Sequence, residues 1–145
     1  MKNDKLIQVS LAILYQENKY LMQLRDNIPG IAYPGVWGLF GGHIEVGESP
    51  LTALQRELVE EIGYDAPQLI EFCQDTEATL IRHIFYGCLT VDIEQLTLNE
   101  GWDIGLVTLD EIKVGECYSQ KAATTRPLGH PHQRILLDFI QFIQQ

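Results

Sequence analysis

One amphipathic helix constrains this chain more than any other feature. Ser49-Pro50 offers an N-cap followed by a proline suited to the first helical position, and Gly63 offers a left-handed stop. Between them Leu51, Leu54, Leu58 and Ile62 share one narrow stripe at helical periodicity, and such a stripe has to be buried. Glu57, Glu60 and Glu61 sit at i, i+3 and i+4 on the neighbouring face, where Ala53 one turn earlier leaves space. Like charges so spaced cost roughly a few tenths of a kcal/mol per pair, and a bare anionic cluster beside an apolar stripe has raised carboxylate pKa values. The ordinary reading is a solvated acidic face. Two details oppose it. Arg56 is the helix's one cation and belongs to the same cluster, and the cluster follows a glycine-rich turn ending in Gly47-Glu48. A hard divalent cation would relieve the repulsion, because carboxylate oxygens are the donors Mg²⁺ takes.

The helix sits among strands. Leu6 to Tyr15 and Tyr20 to Arg25 flank the polar turn Gln16-Glu17-Asn18-Lys19 and read as a hairpin. Asn27 to Gly35 holds two Pro-Gly breaks and reads as a loop, but Ile28, Ile31 and Tyr33 give it something to pack on or close over. Val36 to Phe40 reads as a short strand running into a Gly41-Gly42 turn. Strands are expected at 68–73 and 79–91 with a turn at Asp75 to Ala78, and at 105–108 before a helical turn at 109–113. Ile135, Leu136, Phe139, Ile140 and Ile143 then mark a C-terminal helix over 131–143. Strands mixed with a central and a terminal helix imply an α/β fold, a mixed sheet covered on both faces.

At 145 residues the chain matches one domain, and no linker or repeat divides it. Ten basic residues against 20 acidic ones give a formal charge of -10, which disfavours binding to a nucleic-acid polymer. No apolar run reaches the roughly 18 residues of a membrane span. Cys73, Cys88 and Cys117 are odd in number and widely spaced, so reduced thiols in a cytoplasmic protein are expected. Lys2 and Lys5 before Leu6 to Tyr15 resemble the start of a signal peptide, but Gln8 and Ser10 interrupt the run and favour a strand.

The run from Gly42 to Tyr64 resembles the signature of the Nudix hydrolases. Gly42, five residues, Glu48, seven residues, Arg56-Glu57-Leu58, one residue, Glu60-Glu61, one residue and Gly63 match it in type and spacing. Tyr64 departs where the family usually has an aliphatic residue, a packing position, and Phe40 stands where many members have proline. The resemblance implies a Nudix-type α/β/α sandwich with a central catalytic helix and a C-terminal helix. It implies metal-dependent hydrolysis of a nucleoside diphosphate linked to another group, with Mg²⁺ or Mn²⁺ as cofactor. By the same resemblance Glu57, Glu60, Glu61 and the carbonyl of Gly41 are metal ligands. Arg56 orients the box glutamates, and Glu48 supports the metal's water shell. The general base comes from a helix glutamate or from a carboxylate before the Gly105 strand, with Glu100 preferred over Asp103.

Other candidates carry less specific signals. Arg25 ends a strand near the expected site and is a candidate for phosphate. Trp37 and Phe85 are candidates for substrate binding, against an alternative of core packing for the tryptophan. His83 and Phe85 share one face of their strand and Arg82 and Tyr86 the other, and the sequence does not say which lines the cleft. Lys121, Arg126, His130, His132 and Arg134 form an acid-free segment, either a phosphate contact or a solvated cap before the last helix. Small size favours a nucleoside triphosphate or an oxidised nucleotide as substrate. A nucleotide-sugar hydrolase is the alternative, as is a Nudix-fold module that binds a nucleotide without cleaving it. Every box glutamate is retained, which favours the enzyme. The partner is a small-molecule nucleotide, and a homodimer is compatible with the sequence.

Overall fold

The computed structural model describes residues 5–144. Strands β1 (Ile7–Gln16) and β2 (Lys19–Leu24) form the expected hairpin, its turn made by Glu17 and Asn18 at positive φ. Strands β3 (Trp37–Gly38) and β4 (Phe40–His43) precede helix α1 (Pro50–Ile62). Next come β5 (Ile70–Glu77), β6 (Leu80–Cys88), a 3-10 turn at Ile93–Gln95 and β7 (Asp103–Thr108). Helix α2 (Leu109–Val114), a hairpin of β8 (Glu116–Ser119) and β9 (Thr124–Pro127), and helix α3 (His130–Ile143) complete the fold.

Strand β1 organises the sheet by changing partners along one edge. Tyr15 and Gln16 pair with β2, whereas Val9 to Ala12 pair antiparallel with β4. The other edge of β1 runs parallel to β6 throughout, and β5 completes that side. Strand β2, released from β1, pairs with β7 and with β3. The chain crosses from one group of strands to the other through a single residue, Leu39, between β3 and β4. The sheet therefore splays where β2 and β4 part, and a cleft opens there.

The two faces of β1 bury different helices. Ala12 and Leu14 pack with Leu54, Leu58 and Ile62 of α1, the stripe read from sequence. Leu11 and Ile13 face the opposite layer with Ile135, Leu136 and Phe139 of α3. Phe139 is ringed by Tyr15, Phe72 and Tyr86 with centroids 5.0–6.0 Å away. This is the α/β/α sandwich. The ends of α1 are as expected: Ser49 Oγ accepts from Thr52 N–H at 3.1 Å, and Gly63 ends the helix at φ 65°. Tyr64 is buried, its hydroxyl 2.9 Å from Thr90 Oγ1, so the departure from the family pattern is absorbed by packing. Among the described residues no helix is long and apolar enough to cross a membrane.

Four local expectations need correction. The strand expected at 36–40 breaks at Leu39, whose N–H turns away to His132 Nδ1 at 2.9 Å. Gly41 and Gly42 lie within β4 rather than forming a turn, because their bare backbones sit against β1 and α1. Residues 75–77 continue β5, and the reversal is tightened to Ala78-Thr79. The segment before the last helix contains β9 rather than being only a solvated cap; four-residue strands are too short to declare a periodicity.

Gly41 should not tolerate a side chain. Its φ is 147°, and a Cβ there would overlap the Ser10 carbonyl of β1. Gly41→Ala is expected to lower stability by at least about 2 kcal/mol, read as the urea unfolding midpoint. A second prediction concerns acid. Burial, then repulsion from Arg82 and Arg25, pushes His132 from 6.5 down to about 4. A depressed histidine contributes stability above its unfolded value of 6.5 and loses it as the pH falls through 4. His132→Asn keeps an acceptor for Leu39 but does not titrate, so its loss of melting temperature between pH 6.5 and pH 4 should be smaller than that of the unmodified chain.

Candidate active site

The cleft beside β1 and β4 is a cavity of about 790 Å³. Val9 and Leu11 of β1, Gly41 and Gly42 of β4, and Glu57 and Glu61 of α1 line it. Gln23 of β2, Arg25 just past its end, Ile31 to Tyr33 of the following loop, Arg82, His132, Asn99 and Glu100 also line it. The Pro/Gly-rich loop thus borders the cavity, as its apolar content suggested.

Arg56 organises the acidic face. Its Nε and Nη2 grip both oxygens of Glu48 at 2.8 and 2.9 Å, a two-point geometry that fixes both side chains. Its Nη1 reaches Glu57 Oε1 at 3.0 Å and Glu60 Oε2 at 3.3 Å, and Nη2 donates to the His43 carbonyl at 3.1 Å. The hydrogen bond from Arg56, followed by the Glu45 backbone N–H, holds Glu48 below the usual carboxylate range. Arg56 is held fully protonated by the same partners.

Glu57 and Glu61 face a different field. Burial raises Glu57, against the pull of Arg56, and the charges of Glu60 and Glu100 raise it further. Burial pushes Glu61 up to about 8, with Glu57 and Glu100 adding repulsion. Gly41 N–H donates to Glu61 Oε1 at 3.2 Å and partly offsets this. Gly42 is a glycine for space: a Cβ there would stand 2.5 Å from the Glu57 carboxyl carbon. Glu100 arrives by a route invisible in local sequence. Thr97 N–H donates to the Ile62 carbonyl at 3.1 Å, Asn99 N–H to Glu61 at 2.8 Å and Asn99 Nδ2 to Glu60 at 2.9 Å. These bonds satisfy the open carbonyls at the end of α1 and stitch the next loop to it.

Of the residues singled out in sequence, Gly41, Glu57, Glu61, Glu100 and Arg25 line the cavity. Glu48, Arg56 and Glu60 stand beside it as one ion-paired group, with the Glu60 side chain 56% exposed. Among the described residues no three acidic, histidine or cysteine side chains converge as a closed metal site. The donor set is nevertheless right in kind for a hard cation: oxygen only, anionic and mutually repelling. Trp37 does not reach the cavity. It is buried, and its Nε1–H donates to the Cys117 carbonyl at 3.0 Å. Phe85 is also core, facing α1 with His83, so it is the Arg82 face of β6 that lines the cleft. Asp103 is occupied by Ser119 Oγ at 2.7 Å and does not line the cavity. Arg126 and Arg134 are bound to the Gly35 carbonyl and to Asp75 respectively. Gln23, Asp26 and Asn99 line the cavity without having been singled out; the i, i+2 step from Gln23 to Arg25 was the one available signal for the first.

The geometry agrees with what comparison finds. A family model described as the NUDIX domain matches residues 5–127. A nucleoside triphosphatase NudI from Enterobacter sp. is 30% identical over 115 residues, covering 69% of this chain and 80% of that protein. A Bacillus subtilis protein named as a putative 8-oxo-dGTP diphosphatase is 31% identical over 80 residues, 54% of this chain and 50% of its own length. This chain therefore spans only half of that relative. In structure, a MutT protein from Methanosarcina mazei superposes with a TM-score of 0.73 at 20% identity, covering all of both chains. The signature helix, the α/β/α architecture and the match over most of the length carry one conclusion: the chain belongs to the Nudix family.

Proposed function

We propose that this protein is a pyrophosphohydrolase that cleaves a nucleoside triphosphate or an oxidised nucleotide with Mg²⁺ or Mn²⁺. The carrying observation is one cavity that brings Glu57, Glu61 and Glu100 together with Arg25 and a loop bearing Tyr33. The names of the relatives, a nucleoside triphosphatase and an 8-oxo-dGTP diphosphatase, support the substrate class.

In this reading Glu57, Glu61 and the Gly41 carbonyl would hold the ion. Glu60, paired here with Arg56 and largely exposed, would be the further carboxylate within the same face. A divalent ion in such a site neutralises phosphate charge and acidifies an attacking water. Glu100, which lines the cavity, would take the proton of an attacking water as that water's oxygen bonds to one phosphorus and the bridging oxygen departs with the neighbouring phosphate. Arg25, with Nε held by the Ala32 carbonyl, keeps its remaining guanidinium donors for phosphate. Arg56 and Glu48 fix the carboxylates so that little reorganisation is needed.

Phosphate release from a nucleotide panel with Mg²⁺ or Mn²⁺ tests the reading, and turnover confined to nucleotide sugars would replace the proposed substrate. Glu57→Gln, Glu61→Gln and Glu60→Gln are each expected to lower kcat by two or more orders of magnitude with the fold intact. Near-normal turnover in Glu60→Gln would remove Glu60 from the ligand set. Metal binding is read separately as heat stability. An ion that binds only the folded chain stabilises it by about 2.7 kcal/mol at 100 times its dissociation constant. Millimolar Mg²⁺ should thus raise the melting temperature more than NaCl of equal ionic strength. The increment should shrink strongly in Glu57→Gln/Glu61→Gln. Equal shifts with the two salts would make the face a solvated one.

A further inference from the structure

Two polar side chains of the cavity have no part in the chemistry above, and each is locked in one hydrogen-bonding sense. Leu39 N–H can only donate, so His132 Nδ1, 2.9 Å away, is its acceptor and carries no proton. The neutral ring then has its hydrogen on Nε2, which makes that atom a donor only. Burial and the nearby arginines keep the ring neutral. Gln23 Nε2 lies 2.7 Å from the Glu100 carbonyl, which can only accept, so the amide cannot flip and Oε1 is an acceptor only. Gln23 is 5% exposed, yet neither its Oε1 nor His132 Nε2 has a partner among the described residues. No buried side-chain nitrogen or oxygen there lacks a partner, so both atoms are open, and both residues line the cavity.

The two are neighbours across a bare position. Gln23 pairs with Gly38 between β2 and β3, and side chains directly opposite in an antiparallel pair share a face, about 5 Å apart at Cβ. Gly38 has no side chain, and the His132 ring takes its place, 3.4 Å from where a Cβ would be. A fixed donor and a fixed acceptor, one at Gly38 and one on its register partner, thus line the same cavity. Tyr33, edge-on to His132 with centroids 6.3 Å apart, adds an aromatic border.

We propose that His132 Nε2–H and Gln23 Oε1 together read the keto–imino edge of a nucleobase, an adjacent C=O and N–H as in guanine, hypoxanthine, uracil or thymine. This rests on the nucleotide hydrolase reading above. The carbonyl accepts from His132 while the ring N–H donates to Gln23. Adenine and cytosine reverse the order, an amine beside a bare ring nitrogen, so donor meets donor and lone pair meets lone pair. A hydroxyl could rotate to suit either base; these two groups cannot. Sites built on fixed, buried polar groups discriminate strongly because the wrong ligand leaves them unpaired.

The cleanest probes are ITP and ATP, which differ only at this edge, with UTP and CTP as the pyrimidine pair. The unmodified chain should favour ITP over ATP and UTP over CTP by about 100-fold or more in kcat/KM. In His132→Asn the amide oxygen can replace Nδ1 and hold Leu39, but nothing reaches the Nε2 position. Its melting temperature should stay within a few degrees while the ITP-to-ATP ratio drops at least tenfold through KM. Gln23→Met, which keeps length but removes the acceptor, should lower the same ratio and serves if His132→Asn does not fold. Comparable turnover of both members of each pair, or an unchanged ratio in the folded variants, overturns the proposal. If no nucleotide is hydrolysed, the hydrolase reading falls by itself. The recognition pair is then read from binding of IMP and AMP. Preference for IMP with a shift of the His132 Nε2 nitrogen resonance upholds it, and equal affinity overturns it.

Discussion

Everything in the site depends on how closely the β4 backbone can approach its neighbours. Gly41 and Gly42 lie between β1 on one side and the α1 carboxylates on the other, with no room for a Cβ at either position. That approach brings the Gly41 N–H to Glu61 and seats Glu57 over Gly42. It also lets β4 take the edge of β1 that β2 has left, which is what opens the cleft. Fold and site thus share one constraint. A side chain at these glycines would disturb the sheet and the carboxylate cluster together.

The carboxylates divide into two electrostatic populations. Glu48 and Glu60 are neutralised by Arg56 at the margin of the cavity, whereas Glu57 and Glu61 are partly desolvated and repel each other and Glu100. Burying like charges without compensation is unfavourable, and a chain with 20 acidic and 10 basic residues has little cation to spare. Arg56 is already engaged by Glu48, Glu57 and Glu60. Within the cavity Arg82 is paired with Asp75 and Glu77, and Arg25 acts on Glu61 from a distance, so the inner carboxylates stay short of positive charge. This is the physical content of the box spacing: one arginine organises Glu48, Glu57 and Glu60 but does not reach Glu61, which has only the Gly41 N–H.

What the sequence disclosed follows the range of the interactions involved. Helix α1 was legible to the residue because its cap, proline, apolar stripe and glycine stop are local. The role of Gly41 and Gly42 was legible only in part: the glycines stood out, but a strand pressed against β1 looks in sequence like a turn. Trp37, left between substrate and core, and Phe85, offered for substrate, could not be assigned for a related reason, and both are core. A large aromatic near a glycine-rich segment has the same local signature whether it stacks on a ligand or fills a core, and only the pairing of β3 with β2 and the facing of β6 decide. Glu100 could be named but not placed, since Thr97 and Asn99 bind carbonyls of α1 more than 30 residues earlier. Gln23 and His132, 109 positions apart, meet only through strand register and the last helix.

The two halves of the cavity obey different physical rules, and this bears on how such a fold changes substrate without losing its chemistry. The carboxylate half depends on net charge and close approach. Its members come from one helix, the glycines beneath it and the Glu100 loop, so in the proposed reaction a substitution there acts on the phosphates whatever the base. The Gln23–His132 half depends on hydrogen-bond direction, set by backbone groups of Leu39 and Glu100 rather than by charge. Backbone donors and acceptors persist when side chains change. A residue exchanged at either position therefore meets the same fixed Leu39 N–H or Glu100 carbonyl and is turned by it. On such a scaffold the bases admitted can be altered by single residues of β2 or α3, while Arg56 and the inner glutamates remain as they are.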